Sequence, residues 1–149
     1  MSASDVTESA VLKLFFNNTT FALVGDATGL VGSTGVGSLY ISLHTADPTD
    51  AGTTTSSEAT YTGYARVAVA RTTGGFTISG TTPTQAANTA AVNFAACTAG
   101  TNTITYFGVC TSSSGAGTLM FSGVLTASLA VSAGITPSFA IGALIVTAD

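Results

Sequence analysis

Charge is what this sequence has least of. Lys, Arg, Asp and Glu together make up 7% of its 149 residues, against about 25% in an ordinary soluble protein. Mixed surface charge is what normally keeps a monomer in solution. A surface of neutral hydroxyls and amides suits a protein that is largely covered by partners; the alternative is a soluble monomer that relies on Thr and Ser.

Basic residues are nearly absent. Lys13, Arg66 and Arg71 are the three cations, and the net charge is −4. A nucleic-acid-binding protein needs a basic stripe that displaces counterions from phosphates. The sequence therefore predicts no nucleic-acid partner.

Long hydrophobic runs are also missing. The two longest, residues 10–16 and 139–146, are interrupted by Lys13 and Gly142, and both fall far short of the ~20 residues of a membrane-spanning helix. The first residues lack a basic region and include Asp5 and Glu8, unlike a secretory signal. We expect no membrane partner, and synthesis and retention in a cytoplasm.

The two cysteines, Cys97 and Cys110, have no spacing typical of a zinc site. If residues 90–97 and 103–110 form a hairpin around 98–102, the two lie about seven residues apart along a strand, or ~23 Å. A disulfide requires Cα atoms within about 7 Å. Both are predicted to be small buried apolar residues.

One helix is predicted, at about residues 4–17. Asp5 is a suitable N-cap, and Glu8 three residues later completes a box-like pattern. Asn17 and Asn18 are a natural stop. One apolar face follows from helical spacing, and its members are Ala10, Val11, Leu14 and Phe15.

A glycine-rich segment, residues 25–38, follows the helix. A phosphate-binding loop would continue into Lys-Ser/Thr or carry GxGxxG before a helix, and this segment does neither. A turn-rich surface loop is the favoured interpretation.

Strand patterns dominate the remainder. In residues 39–45, apolar and polar side chains alternate strictly. Gly, Pro, Ser or Asn separates the short apolar segments every eight to twelve residues, which is typical of a sandwich or barrel. The sequence predicts one structural domain over 1–149, with a β domain from about 38 to 149. Its fold class is all-β, an antiparallel β-sandwich or jelly-roll-like barrel with one short N-terminal helix. Further strands are predicted at 64–71, 76–79, 90–96, 103–110, 119–125, 129–131 and 143–147.

Catalytic patterns are not found. The single histidine, His44, falls on the polar face of its strand with Tyr40 and Ser42, and Asp47 lies close in sequence. No GxSxG or similar motif accompanies it, so the requirements for an activated nucleophile are not met. We predict a protein that is not an enzyme and has no cofactor.

Three carboxylates, those of Asp47, Asp50 and Glu58, share one loop. Calcium binds such oxygens, but the spacing fits no EF-hand. A solvated loop with turn-forming Asp residues is favoured, so no metal site is predicted.

Arg66 lies in an otherwise apolar strand, with Tyr64 and Ala68 on its face. A buried arginine requires a carboxylate or several carbonyls, and Glu58 and Asp47 are the candidates for a structural ion pair. An exposed Arg66 on the outer face is an equally weighted alternative.

Several segments, taken in order, form a pattern over most of the chain: 39–48, 51–52, Glu58, 61–67, 92–94, 104–109, 117–121 and 142–145. This pattern resembles a family of small virion proteins of tailed bacteriophages, often labelled tail fibre or structural proteins. The sequence departs from the family pattern at Phe76, where such chains often carry Trp, and in a longer glycine-rich segment at 25–37.

The resemblance implies a non-enzymatic structural protein of the virion, assembled in the host bacterial cytoplasm. We expect a capsid decoration (cement) protein that bridges capsid subunits and stabilises the phage head. The alternative is a structural or receptor-binding protein of the tail tip or tail fibre. The expected partners are further copies of the chain, as a homotrimer, and the major capsid protein or tail proteins.

Overall fold

The computed structural model describes residues 3–25, 29–81 and 83–148. These form one helix, α1 (Asp5–Asn17), and nine strands. The strands are β1 (Ser38–His44), β2 (Val67–Ala70), β3 (Phe76–Ser79), β4 (Thr84–Asn88), β5 (Val92–Asn93), β6 (Asn102–Cys110), β7 (Leu119–Val131), β8 (Ser138–Phe139) and β9 (Ile145–Ala148).

The predicted all-β class with one short N-terminal helix is confirmed. The strands form three sheets, of order β2-β1-β6-β7, β3-β4-β9 and β5-β8. β6 pairs antiparallel with β1 and β7, and β4 pairs antiparallel with β3 and β9. Within the described ranges no sheet closes into a barrel. This favours the sandwich over the jelly-roll-like barrel.

The chain divides into two compact units. Unit 1 consists of Met1–Ser38, Ala70–Ala91 and Phe139–Asp149, and unit 2 of Leu39–Val69 and Val92–Ser138. The single domain expected over residues 1–149 stays a prediction.

Unit 1 packs α1 against the sheet β3-β4-β9. Leu12 and Phe16 are buried on the helix, and the Phe16 ring meets the Phe76 ring edge-on at 4.9 Å. The Asn17 side chain donates to the Phe76 carbonyl at 2.8 Å. The end of the helix is thus fixed to the start of β3.

The N-cap of the helix lies one residue before the predicted one. Ser4, not Asp5, is the N-cap, and its hydroxyl accepts from the Thr7 backbone N–H. Glu8 does not complete a capping box; it is buried, and its carboxylate accepts from the Thr84 hydroxyl at 3.1 Å. The predicted stop is confirmed, since Asn18 is the left-handed C-cap.

An isolated antiparallel bridge joins the residues around the start of the glycine-rich segment. Phe21 and Leu30 exchange two hydrogen bonds of 2.9 Å, and the Asn18 side chain bonds to Ser33. Gly29 is required here because it has φ +75° and a Cβ would lie 2.1 Å from the Phe21 carbonyl oxygen. Residues 26–28 of the predicted loop lie outside the described residues.

Unit 2 is built on the sheet β2-β1-β6-β7. β1 pairs with β6 from Tyr40↔Cys110 to His44↔Tyr106. The apolar residues of β1 are buried as the alternation predicts, but Ser42 and His44 on its polar face are 0% exposed as well. Both faces of β1 are therefore covered.

The predicted hairpin between 90–97 and 103–110 is wrong. β6 pairs with β1 and β7, whereas β5 is only two residues long and pairs with β8. A strand that the pattern missed, β4, lies between β3 and β9, and the two segments predicted at 119–125 and 129–131 form one strand, β7. Both cysteines are free and buried, as predicted.

Candidate functional site: a buried ion pair that fixes two loops

Arg66 and Glu58 form a two-point ion pair in unit 2. Arg66 Nε donates to Glu58 Oε1 at 2.6 Å, and Nη2 donates to Oε2 at 2.7 Å. The side chains are 2% and 15% exposed. The planar guanidinium matches the carboxylate at both oxygens, so the pair has a single well-defined geometry. The structure thus brings together two of the three residues considered for an ion pair.

Backbone pairing places Glu58 at the end of β1. Thr45 N–H donates to Ser57 O, and Ala59 N–H donates to Leu43 O, both at 2.8 Å. Arg66 immediately precedes β2, the neighbour of β1 in the sheet. The loop 45–66 is therefore held at both ends beside the same strand.

The other guanidinium donors fix a second loop, residues 111–118, which joins β6 to β7. Nη1 donates to the Ser112 carbonyl at 2.9 Å, and Nη2 also donates to the Gly115 carbonyl at 2.8 Å. The hydrogen bonds to Glu58 raise the pKa of the Arg66 guanidinium above its usual value. The charge of Arg66 is therefore permanent, and each of its three nitrogens donates to a partner.

Tyr64 extends this network to the backbone of β1. Its hydroxyl donates to Glu58 Oε1 at 2.9 Å and accepts from the Leu43 N–H at 3.1 Å. Its ring stacks on Phe94 and meets Tyr61 edge-on. Burial raises the pKa of the Tyr64 phenol, so the hydroxyl stays protonated and remains a donor to the carboxylate.

A second polar cluster, Ser42, His44 and Ser56, lies next along β1. His44 Nδ1 is 2.8 Å from the Ser56 carbonyl oxygen, which can only accept, so Nδ1 carries the proton. Nε2 therefore accepts from the Ser42 hydroxyl at 2.8 Å. Burial is the main cause that lowers the pKa of His44, and the ring is neutral near pH 7.

This serine–histidine pair resembles a nucleophile with its base, but its surroundings give it a different role. Both side chains are 0% exposed. Gly108 on β6 faces them so closely that a Cβ would lie 2.5 Å from Ser42 Oγ and 2.8 Å from His44 Nε2. A substrate has no access to the hydroxyl. The geometry supports a packing role that ties the loop 45–66 to β1.

Asp47 does not join either cluster. Its carboxylate accepts from the Thr49 N–H at 2.9 Å and closes its own turn. Asp50 borders a small cleft beside β7, while Glu58 is engaged by Arg66 and Tyr64. Among the described residues, no group of three or more His, Cys, Asp or Glu side chains is placed to hold a metal ion.

Several contributors to the Arg66 network were missed in the sequence. The carbonyls of Ser112 and Gly115 carry no residue-specific signal, because every residue has a carbonyl. The Tyr64–Glu58 contact did have such a signal, because Tyr64 lies two residues before Arg66 and on the same face of the predicted strand.

Comparison with known proteins assigns the class. A family model covers almost all of the chain. Residues 2–147 match the model of the podophage GP4 fiber I protein gp80. The chain belongs to this family of phage fibre structural proteins, and the resemblance noted in its sequence is confirmed.

Other comparisons add little. No curated protein matches the sequence significantly. Within the described residues, no helix is long and apolar enough to cross a membrane.

Proposed function

We propose that this chain is a non-enzymatic structural component of a bacteriophage fibre, which acts by binding other virion components. The observation that carries the proposal is the match of residues 2–147 to a fibre protein family. The family description names a fibre, so it supports the tail alternative better than capsid decoration. A place in the virion follows from either role.

The surface supports a role in binding. Charged residues make up 7% of the chain, while several large apolar side chains are 67–78% exposed: Val6, Leu23, Val31, Val124 and Ile141. Scattered single apolar residues are normal on a surface, but here few charges separate them. We propose that copies of the chain associate, as a homotrimer with closed symmetry, and that tail proteins are the further partners.

The polar clusters support a structural role for the interior. Burying an arginine is favourable only where its charge and all its donors are matched. In unit 2 this matching fixes the loops 45–66 and 111–118. We propose that a binding surface benefits from loops held in one conformation, because less ordering is required when a partner docks.

Location on the particle is the decisive test. Antibody fragments raised against the purified protein and coupled to gold are bound to intact virions and viewed by electron microscopy. Fibre labelling, with far fewer copies than the major capsid protein by mass spectrometry, is expected. Label spread over the head, with a copy number close to that of the capsid protein, would instead establish decoration.

A further inference from the structure

A groove runs along one side of α1 in unit 1. Its volume is about 600 Å³, and residues 19–22 and the turn at 80–81 form the wall opposite the helix. The wall on the helix consists of Asp5, Val6, Ser9, Ala10 and Lys13. Because residues three and four apart are neighbours on a helix surface, these five side chains make one continuous stripe. The groove therefore follows the helix for more than two turns.

This side of α1 is accessible. Asp5 and Lys13 are exposed, and Val6 is 76% exposed. Leu12 and Phe16, which are buried, attach the other side of the helix to unit 1. The helix thus presents a second side, with both charged and apolar groups, to an incoming partner.

The two ends of this side carry opposite charges that are not engaged. Asp5 and Lys13 are eight residues apart, or about 12 Å along the helix, too far for the pairing that helical neighbours make. Among the described residues, neither side chain has a hydrogen-bond or ion-pair partner. The other two cations, Arg66 and Arg71, donate to groups of the chain itself. Lys13 is therefore the cation that is available to a carboxylate of another molecule.

The charge pattern is complementary to itself when the helix is reversed. If a second α1 lies antiparallel with its Ser9 level with the first Ser9, Asp5 of each copy comes level with Lys13 of the other. A parallel arrangement in the same register would instead bring like charges together. Ser9 and Ala10 at the centre are small, so the helices can approach at the short end of the usual 8–10 Å. Charge and side-chain size together favour a second copy as the occupant.

We propose that the groove beside α1 binds α1 of a second copy of this chain, antiparallel, through two Asp5–Lys13 ion pairs. In such a two-fold contact the same surface is used on both copies, and each residue contact occurs twice. The contact cannot close a ring of three, so it joins copies that belong to different trimers. Exposed ion pairs contribute little, so it forms only where copies are concentrated. The inference rests on the proposed function, in which copies of the chain stand together in a fibre.

The first test is zero-length cross-linking of the unmodified protein. A carbodiimide joins a carboxylate to an amine where the two are in contact, and Lys13 is the single lysine. Isotope-labelled and unlabelled protein are mixed at millimolar concentration, and mass spectrometry should find Asp5 of one copy linked to Lys13 of the other. Covalent dimers and no larger products are expected, because both links join the same two copies. High salt should lower the yield several-fold, since it screens exposed charges.

The matched control moves the lysine to unit 2. Lys13→Ala combined with Val124→Lys places it at a position that is 67% exposed, and the yield of dimer then measures random collision. A parent that yields no more dimer than this control would overturn the proposal. So would a link from Lys13 to a carboxylate other than that of Asp5. A ladder of larger products would do so too, because it requires a head-to-tail contact.

The second test exchanges the two charges. Asp5→Lys combined with Lys13→Asp keeps the net charge at −4 and restores complementarity with the signs reversed. Cross-links between positions 5 and 13 of different copies should return to the parent yield, and circular dichroism checks that the variant folds. A folded double variant at the level of random collision would contradict the two-fold contact. Gold labelling of the virion is independent of these results, so the fibre assignment and the helix contact fail separately.

Discussion

At the scale of single residues, Arg66 makes the interactions that link the two loops of unit 2. Its side chain is 2% exposed, and its partners come from two loops that lie far apart in sequence. Removing one member of a buried pair leaves the other charge without compensation. The stability of this region should therefore depend strongly on one side chain.

We expect Arg66→Ala to lower the free energy of unfolding by about 3–5 kcal/mol, because the Glu58 carboxylate loses both guanidinium contacts. Urea unfolding measures this loss. Lys13→Ala is the control, since Lys13 is exposed on α1 and surface substitutions usually stay within about 0.5 kcal/mol. Equal effects of the two substitutions would show that the pair contributes nothing to stability.

His44 should make the stability depend on pH. Burial lowers its pKa in the folded protein, while in the unfolded chain it titrates near 6.5. As pH falls below about 6.5, the unfolded chain binds a proton more readily than the folded protein, so stability decreases with acid. The loss between pH 7.5 and 5.5 is at most about 1.4 kcal/mol, the amount that protonation of the unfolded imidazole alone supplies.

Urea unfolding at these two pH values tests this expectation. His44 is the single histidine, so the change can be assigned, and a His44→Gln variant should lose it. A stability that stays flat over this range in the parent would contradict the expected shift.

Part of this site could be predicted from the sequence. An arginine in an apolar strand requires a partner, and that requirement pointed to Glu58 and Asp47 without deciding between them or against exposure. Asp47 was a candidate because of its position in the loop, yet it closes its own turn. The role of His44 was not foreseen, because Ser42 and Ser56 become its partners only when β6 covers the polar face of β1.

At the scale of secondary-structure elements, the pairing of β1 with β6 depends on a glycine at residue 108, which has no side chain. Gly108 lies opposite Ser42, and a Cβ there would lie 2.5–2.8 Å from Ser42 Oγ, Leu119 Cδ1 and His44 Nε2. The Ser42 and His44 side chains therefore have room only because residue 108 is a glycine.

Gly108→Ala should lower the free energy of unfolding by about 1–3 kcal/mol, as overpacking in a close-packed interior does. Gly35→Ala is the matched control, because nothing lies within 4 Å of the position that its new methyl group would take, and it should be neutral or slightly stabilising. Thermal melting of both variants measures the difference. A harmless Gly108→Ala would mean that β6 can move away from β1 at little cost.

Local patterns predicted the elements better than their pairing. β3 was predicted to the residue, and β1 and β6 within one residue at each end, because their apolar and β-branched residues alternate. β4 was missed because Thr84–Asn88 holds two alanines and no β-branched apolar residue. The hairpin prediction failed because neighbours in sequence are not obliged to pair, and β6 instead meets β1 some seventy positions earlier.

At the scale of the whole molecule, low charge is the property with the widest effect. It removes repulsion between copies, and it also makes association weakly dependent on salt, since few ion pairs are available to screen.

We expect the purified protein to be a homotrimer, with three times the 14.6 kDa mass of one chain. Light scattering at micromolar concentration, repeated at low and high salt, is the measurement. The mass should be the same at both salt concentrations. A protein that remains a monomer throughout would rule out the self-association proposed here.

The two buried cysteines offer a way to time local opening without any substitution. Cys97 donates its S–H to the Ala99 carbonyl and Cys110 donates to the Tyr40 carbonyl, and both are free and buried. A thiol reagent can react only when the surrounding structure opens. The labelling rate of Cys110 therefore reports how often β6 separates from β1, and that of Cys97 how often the segment after β5 detaches, each in the native chain and under the conditions of assembly.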